Sequence, residues 1–275
     1  MSEMNFQNIP SKYVVKRERE VAYESPDYIM PWGTRWDNSR NWRFNNKLYK
    51  LFQHLEHPFR VLDMGCSGGG FVKDCVDDGC LAVGLEGSDY SKKLKRAEWG
   101  TIPEYLFTCD LTGDFEIFGE INGAAQRMLF DVITSWEVIE HIAEKDIPAI
   151  VANVRKHLAP GGLWIMSVAT TEDVVNGVRL HQTVKPKKWW VQRFSELGFE
   201  QRDEYVKYFN TQFVRGPKYG APGSFILVLT VDKSNLPALP FQPLIRQGFE
   251  FLYDRWLGSF PQKLLKLLVG ERMYF

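Results

Sequence analysis

The residues best placed for chemistry begin at Asp63-Met64-Gly65-Cys66-Ser67-Gly68-Gly69-Gly70. An apolar run, Val61-Leu62, leads into Asp63, and Phe71–Val76 after the glycines reads as the start of a helix. Strand, glycine turn and helix bring a backbone close to a nucleotide-like ligand, because glycine tolerates the turn and the helix N-terminus presents free N–H groups. Glu86 ends the next apolar run, 21 positions after Gly65. An acid about 20 residues past the first glycine accepts hydrogen bonds from ribose hydroxyls in such βαβ sites. Two histidines are the leading proton acceptors. His141 lies just past an apolar strand-like run, with Glu137 four positions before it and placed to orient the imidazole if the turn is helical. His181 lies in a long loop, Ala169 to Lys188. A hydroxyl acceptor gains from such a base. No tight Asp/Asn cluster or His-x-His spacing specifies a divalent metal.

The elements that must hold these groups follow from periodicity. Strands are expected at Arg60–Met64, Cys80–Leu85, Tyr105–Cys109, Leu129–Thr134, Leu163–Val168, Phe199–Tyr208 and Phe225–Val231. Helices are expected from Gly70 to Asp78, Lys92 to Trp99, Ile147 to Leu158 and Trp189 to Leu197, and Thr112 to Arg127 reads as irregular. Alternation of the two predicts an α/β, Rossmann-like doubly wound sheet of seven strands, mostly parallel with an antiparallel edge.

Taken together, Val61–Gly69, Glu86, Asp110, Phe130–His141 and Leu158-Ala-Pro-Gly-Gly162 resemble the class I S-adenosylmethionine-dependent methyltransferases, in the ubiquinone-biosynthesis-like branch of small-molecule enzymes. The resemblance covers about residues 58–232. It implies that Asp63, Gly65, Ser67 and Gly69 hold the methionine part of S-adenosyl-L-methionine, the product being S-adenosyl-L-homocysteine. It also implies that Glu86 binds the ribose diol, Asp110 faces the adenine amine, Leu111 offers a backbone N–H near the ring, and Ser135 and Trp136 flank the methionine. One departure is Ser67, which stands where the middle glycine of the turn is usual; Gly68-Gly69-Gly70 leaves the backbone free around it. The glycine spacing does not fit the GxGxxG fingerprint of nicotinamide enzymes.

The chain divides by composition into an N-terminal arm and lid (1–57), the cofactor-binding core (58–234) and an amphipathic helical tail (235–275). The polar start, with Lys16-Arg17-Glu18-Arg19-Glu20, reads as a solvated arm. Pro31–Phe44 carries three Trp and three Arg, and reads either as a helix packed on the core or as a lid. As a lid, Trp32 and Trp36 offer faces to a heterocycle or sugar, and Arg35 and Arg40 offer donors to a polar acceptor. Trp189-Trp190 adds to the suggestion of a glycan. The tail runs Phe249–Leu257 and Lys263–Val269 are amphipathic, fit for docking on the core, on a second copy in a homodimer, or on a membrane surface as a peripheral contact. The 34 basic residues balance 34 acidic ones, which gives no electrostatic case for nucleic acid. No 18-residue apolar run is present, the start lacks a leader pattern, and four Cys without a CxxC pair read as free thiols, so a cytoplasmic setting is expected. The expected activity is O-methylation of a small polar acceptor such as a sugar. The alternatives are N- or C-methylation of an aromatic or lipid-like acceptor, and a catalytically silent cofactor-binding subunit.

Overall fold

Residues 9–252 are described in the computed structural model of the chain. The arm is not free in solution. Tyr13–Arg17 forms strand β1, which pairs antiparallel with Phe115–Ile121 and buries Tyr13 in the core. Two short helices follow, α1 (Pro26–Ile29) and α2 (Trp32–Trp36). Ser25 caps α1 through its hydroxyl, and Pro26 at the first turn needs no N–H partner. Trp36 and Arg40 do not share a helical face, because Asp37 is extended and ends α2. Helix α3 (Trp42–Leu51) then starts under the Asn41 cap, whose side chain accepts from the N–H groups of Arg43 and Phe44. Phe44, Leu48 and Leu51 at i, i+4 and i+7 give it one buried stripe.

The core begins with β2 (Arg60–Met64), as expected, followed by α4 (Gly70–Asp77) and β3 (Leu81–Glu86). The basic run after Ser88 makes only a single-turn helix α5 (Tyr90–Lys93) and a 3₁₀ turn at Ala97–Gly100, before β4 (Leu106–Thr108). Thr112 to Arg127 is not irregular. It contains the hairpin β5 (Phe115–Ile121) and β6 (Ala124–Arg127), turned by Asn122-Gly123, both with positive φ. Asn-Gly suits such a turn, and Phe115, Ile117 and Ile121 alternate onto the core. Strand β7 (Phe130–Trp136) is buried throughout, helix α6 (Ile147–His157) follows, and β8 (Leu158–Ala169) crosses the molecule. The loop after β8 holds a small hairpin, β9 (Val174–Val175) with β10 (Val178–Arg179).

Helix α7 (Lys187–Glu196) leads to β11 (Glu200–Gln201). The expected strand to Tyr208 is instead helix α8 (Asp203–Phe209). Asp203 and Glu204 favour its first turn, and Tyr205, Tyr208 and Phe209 are spaced for one helical face. Strand β12 (Ser224–Thr230) and helix α9 (Leu244–Leu252) complete the described chain. The second tail run, Lys263–Val269, lies outside the described residues.

The main sheet has the order β11-β12-β8-β7-β2-β3-β4. Strands β8, β7, β2, β3 and β4 are parallel, and β12 runs antiparallel between β8 and the edge strand β11. The strand order reverses between β2 and β7, so their carboxyl ends open a crevice. Apolar layers cover both faces of the sheet. Among the described residues no helix is long and apolar enough to cross a membrane. Cys66, Cys75 and Cys109 are buried free thiols, and Cys80 is a half-buried one.

Candidate active site

The carboxyl ends of β2, β3 and β7 meet at one cavity of about 1080 Å³. That exceeds a typical small-molecule pocket of roughly 300–1,000 Å³, so a cofactor and a small acceptor fit together. The glycine turn forms its floor. Gly65 sits at φ +80°, and a Cβ there would run into Val138. Ser67 also takes a left-handed conformation (φ 47°). The strain is met by its contacts. Its N–H donates to Glu86 Oε2 at 2.8 Å, its hydroxyl donates to the Asp37 carbonyl at 2.8 Å, and Arg96 donates to that hydroxyl at 3.0 Å. Gly69, at φ +84°, caps α4.

Glu86 is buried and also accepts from the Ser88 N–H at 3.1 Å and the Thr34 hydroxyl at 3.4 Å. A carboxylate has about four acceptor positions, so one remains for a ribose hydroxyl. Burial pushes Glu86 above the usual carboxylate range, and these donors oppose that. Asp63 lies deeper. Burial pushes its carboxyl up to about 7, although the Thr134 hydroxyl donates to it at 2.7 Å. Asp110 lines the cavity beside Leu111. Burial works to raise Asp110, but donors from Thr112 and the Arg19 guanidinium, 2.7 Å away, hold it below its usual value. Trp136 is packed edge-on by Phe44 and Phe71, and its Nε1 has no partner among the described residues. Ser135 does not face the cavity: its hydroxyl accepts from Trp164 Nε1 at 3.1 Å.

The segment before α3 roofs the cavity. Trp32 and Trp36 line it, each 53% exposed, with ring centroids 6.0 Å apart. Arg35 and Arg40 do not reach it. Arg35 lies over the rings of Trp36 and Tyr90, and Arg40 pairs with Glu98 and Asp74. Trp190 is wholly buried in the core and Trp189 packs against it, so that pair offers no acceptor surface. Two lining residues had no local sequence signal. Arg215 comes from the loop before β12 and pairs with Asp37, and Asp27 comes from α1.

Just past the carboxyl end of β7, three ligand-type side chains converge. Glu140, His141 and His181 each place one donor atom within 4.8 Å of the others. His141 does not share a helix with Glu137. Glu137 follows β7 directly with φ 54°, and Ile139–His141 is a 3₁₀ turn. Glu137 Oε2 accepts from the Ser224 hydroxyl at 2.6 Å rather than orienting the imidazole, and its buried Oε1 has no partner among the described residues. His141 Nδ1 lies 2.7 Å from Asp27 Oδ2, an ion pair off the line of a straight hydrogen bond. Burial pulls the His141 ring down, but Asp27 more than offsets this and raises it to about 9. His181 Nδ1 lies 2.5 Å from the Thr171 carbonyl, and burial lowers this ring below its usual value. The rings meet edge to face at 4.6 Å. Glu140 is fully buried; burial and Glu137 raise its carboxyl to about 8. Its Oε1 accepts from the Ala169 N–H at 3.0 Å, and Oε2 has no partner among the described residues.

Both histidines thus engage an oxygen through Nδ1 and leave Nε2 available, the arrangement that orients imidazole ligands around a metal. Ligand atoms around one cation with bonds near 2.1 Å lie at most about 4.2 Å apart, so the cluster needs only a small contraction to close on one. The absence of a metal-type spacing in the sequence reflects that His181 arrives from another loop.

This fold and this crevice are those of the class I S-adenosylmethionine-dependent methyltransferases. Residues 37–212 match the methyltransferase domain family, and the chain belongs to it. Among curated proteins it is similar to a ubiquinone biosynthesis O-methyltransferase of Mesorhizobium japonicum, 35% identical over 124 residues, which are 44% of this chain and 44% of that protein. The counterpart in Thiobacillus denitrificans is 30% identical over 107 residues, 38% of this chain and 42% of that one. The chain thus spans less than half the length of either relative. Among solved structures it is similar to the 1,6-didemethyltoxoflavin-N1-methyltransferase of Burkholderia thailandensis, at 17% identity and a TM-score of 0.47 over 74% of this chain and 83% of that one. The glycopeptide N-methyltransferase MtfA gives 16% identity and a TM-score of 0.46 over 74% and 94%.

Proposed function

We propose that the chain transfers a methyl group from S-adenosylmethionine to a hydroxyl of a small polar acceptor, with the hydroxyl activated at Glu140, His141 and His181. The observation that carries this reading is the convergence of those three residues, of which His141 and His181 line the cavity that Glu86, Asp110 and the glycine turn also line, with the buried Glu140 within 4.8 Å of both. Gly65 and Ser67 hold the methionine part of the cofactor against Trp136, Glu86 takes the ribose, and Asp110 with Leu111 takes the adenine. Trp32 and Trp36 cover the acceptor, and Arg215 offers it donors. In the transfer, the acceptor oxygen displaces the sulfur in line. A carbon–oxygen bond forms, the sulfonium carbon–sulfur bond breaks, and the thioether leaves uncharged. The chain contributes alignment and exclusion of water.

The hydroxyl proton must leave. Glu140, His141 and His181 would hold a divalent cation for this step, since two buried carboxylate oxygens, Glu140 Oε2 and Glu137 Oε1, lack partners among the described residues. A mixed imidazole and carboxylate set suits a first-row transition ion. Such a cation lowers the pKa of a hydroxyl placed against it. A cation-free reading has its own support. His181 is held neutral by burial and pinned by Thr171, which leaves Nε2 to accept the proton.

The test is methyl transfer from labelled cofactor to a panel of hydroxylated metabolites and sugars, before and after chelation. Loss on chelation and recovery with Mn²⁺, Co²⁺ or Zn²⁺ is expected. Glu140→Gln should lower kcat about 100-fold with cofactor affinity intact. Activity indifferent to chelation, but lost in His181→Ala, selects the cation-free reading. Tight cofactor binding with transfer to no acceptor overturns the enzyme assignment and leaves a partner subunit.

A further inference from the structure

Helix α9 is oriented against the usual rule. A surface helix turns its apolar stripe to the core and its polar side to water. Here the polar side meets the domain. Glu250 pairs at 2.7 Å with Lys47, a lysine buried in α3 whose ammonium also donates to the Tyr208 carbonyl at 2.9 Å and the Phe209 carbonyl at 3.2 Å. The Gln247 carbonyl accepts from Asn210 at 3.2 Å. The apolar side faces out. Leu244 is 83% exposed, Ile245 87%, Phe249 66% and Leu252 55%, and Phe241, just before the helix, is 91% exposed. Leu244, Ile245, Phe249 and Leu252 fall at i, i+1, i+5 and i+8, one continuous stripe. Lone exposed apolar residues are ordinary; a contiguous stripe fixed outward by a buried ion pair marks a contact surface.

The following sequence indicates the partner. Arg255 to Gly270 contains Trp256, Leu257, Phe260, Leu264, Leu265, Leu267, Leu268 and Val269, with three cations, Arg255, Lys263 and Lys266, and no acid. Apolar residues interleaved with cations fit the interface of an anionic lipid bilayer, where the apolar groups enter the headgroup boundary and the cations meet the surface charge. We propose that the outward stripe of α9, with Phe241 just before it, docks the protein on an anionic lipid surface, the cations of the following sequence supplying the charge preference.

The full chain would be sedimented with vesicles of pure phosphatidylcholine and with vesicles also containing phosphatidylglycerol. Expected is at least tenfold stronger partition onto the phosphatidylglycerol vesicles, weakening as salt rises. The exposed pair Ile245→Ser/Phe249→Ser should reduce that partition about tenfold while the thermal transition stays put, because neither side chain packs in the core. Lys263→Glu/Lys266→Glu should abolish the preference for phosphatidylglycerol. A chain that stays in the supernatant with both vesicle types overturns the proposal, as does partition that neither pair of substitutions alters. So does a concentration-dependent dimer, dispersed by Ile245→Ser/Phe249→Ser, in a chain that ignores vesicles; the stripe then belongs to a second copy.

Discussion

The carboxylates of this site each do something different because each has different neighbours. Glu86 is tied to two backbone N–H groups and a hydroxyl, so it shapes the glycine turn as well as facing the cavity. Glu86→Gln keeps the shape and removes the charge. Calorimetry should show S-adenosylmethionine binding weakened roughly 10- to 100-fold, or about 1.5–3 kcal/mol for a charge-assisted hydrogen bond. Unchanged affinity would remove Glu86 from the ribose site. Asp27 acts on His141 instead. In Asp27→Asn, the His141 ring should titrate about 1–2 pH units lower by NMR, since the opposing charge is lost. An unmoved titration would mean that the ring owes its charge to Glu140. Glu86 was legible in the sequence because a βαβ unit fixes how far the acid lies from the turn. Asp27 was not, and neither was the meeting of His181, a loop candidate from the start, with His141, since 114 and 40 positions separate the two from His141 and only the folded chain closes those gaps.

Helices and strands divide by how local their causes are. Strands β2 and β7 were legible because strands buried on both faces need continuous apolar runs. Helix α8 and the β5–β6 hairpin were misread. In α8 the aromatic residues favour strands, and only their i, i+3, i+4 placement reveals the helix. In the hairpin the glycines suggested irregular chain, although Asn122-Gly123 is a specific turn. That hairpin is fastened to α6 by His157. The Ile117 N–H donates to Nε2 at 3.3 Å, Nδ1 lies 2.8 Å from the Asn153 carbonyl, and the ring stacks on Phe115 at 4.8 Å. A neutral ring satisfies both contacts. Burial lowers its pKa to about 4. The unfolded chain therefore binds a proton that the folded one refuses between about pH 6.5 and 4. Stability should fall by about 3 kcal/mol as pH drops through that window. Chemical denaturation at pH 7 and pH 4.5 would measure it, and His157→Phe should flatten this part of the slope. An identical slope in that variant would assign the acid sensitivity to other groups.

At the scale of the molecule, the sheet order places the cavity where β2 and β7 diverge, and helical and strand alternation alone was enough to expect that crevice. The roof was less legible. Trp32 and Trp36 were read as lid residues and do line the cavity, but Arg35 and Arg40 look like equally good donors in sequence and are spent on Tyr90, Glu98 and Asp74. Charge alone does not say which partner a guanidinium will meet.

The pairing of β1 with β5 also sets an order of events during synthesis. Tyr13 leaves the ribosome first, yet its partner Gly119 follows about a hundred residues later, roughly 5–20 s at ordinary elongation rates. Through that interval the N-terminal strand has nothing to pair with, and the roof attached to it cannot be pulled into place from that side. A nascent chain that already holds β2, α4 and β3 therefore still lacks the strand that anchors the roof, and that anchor can form only once β5 has been made.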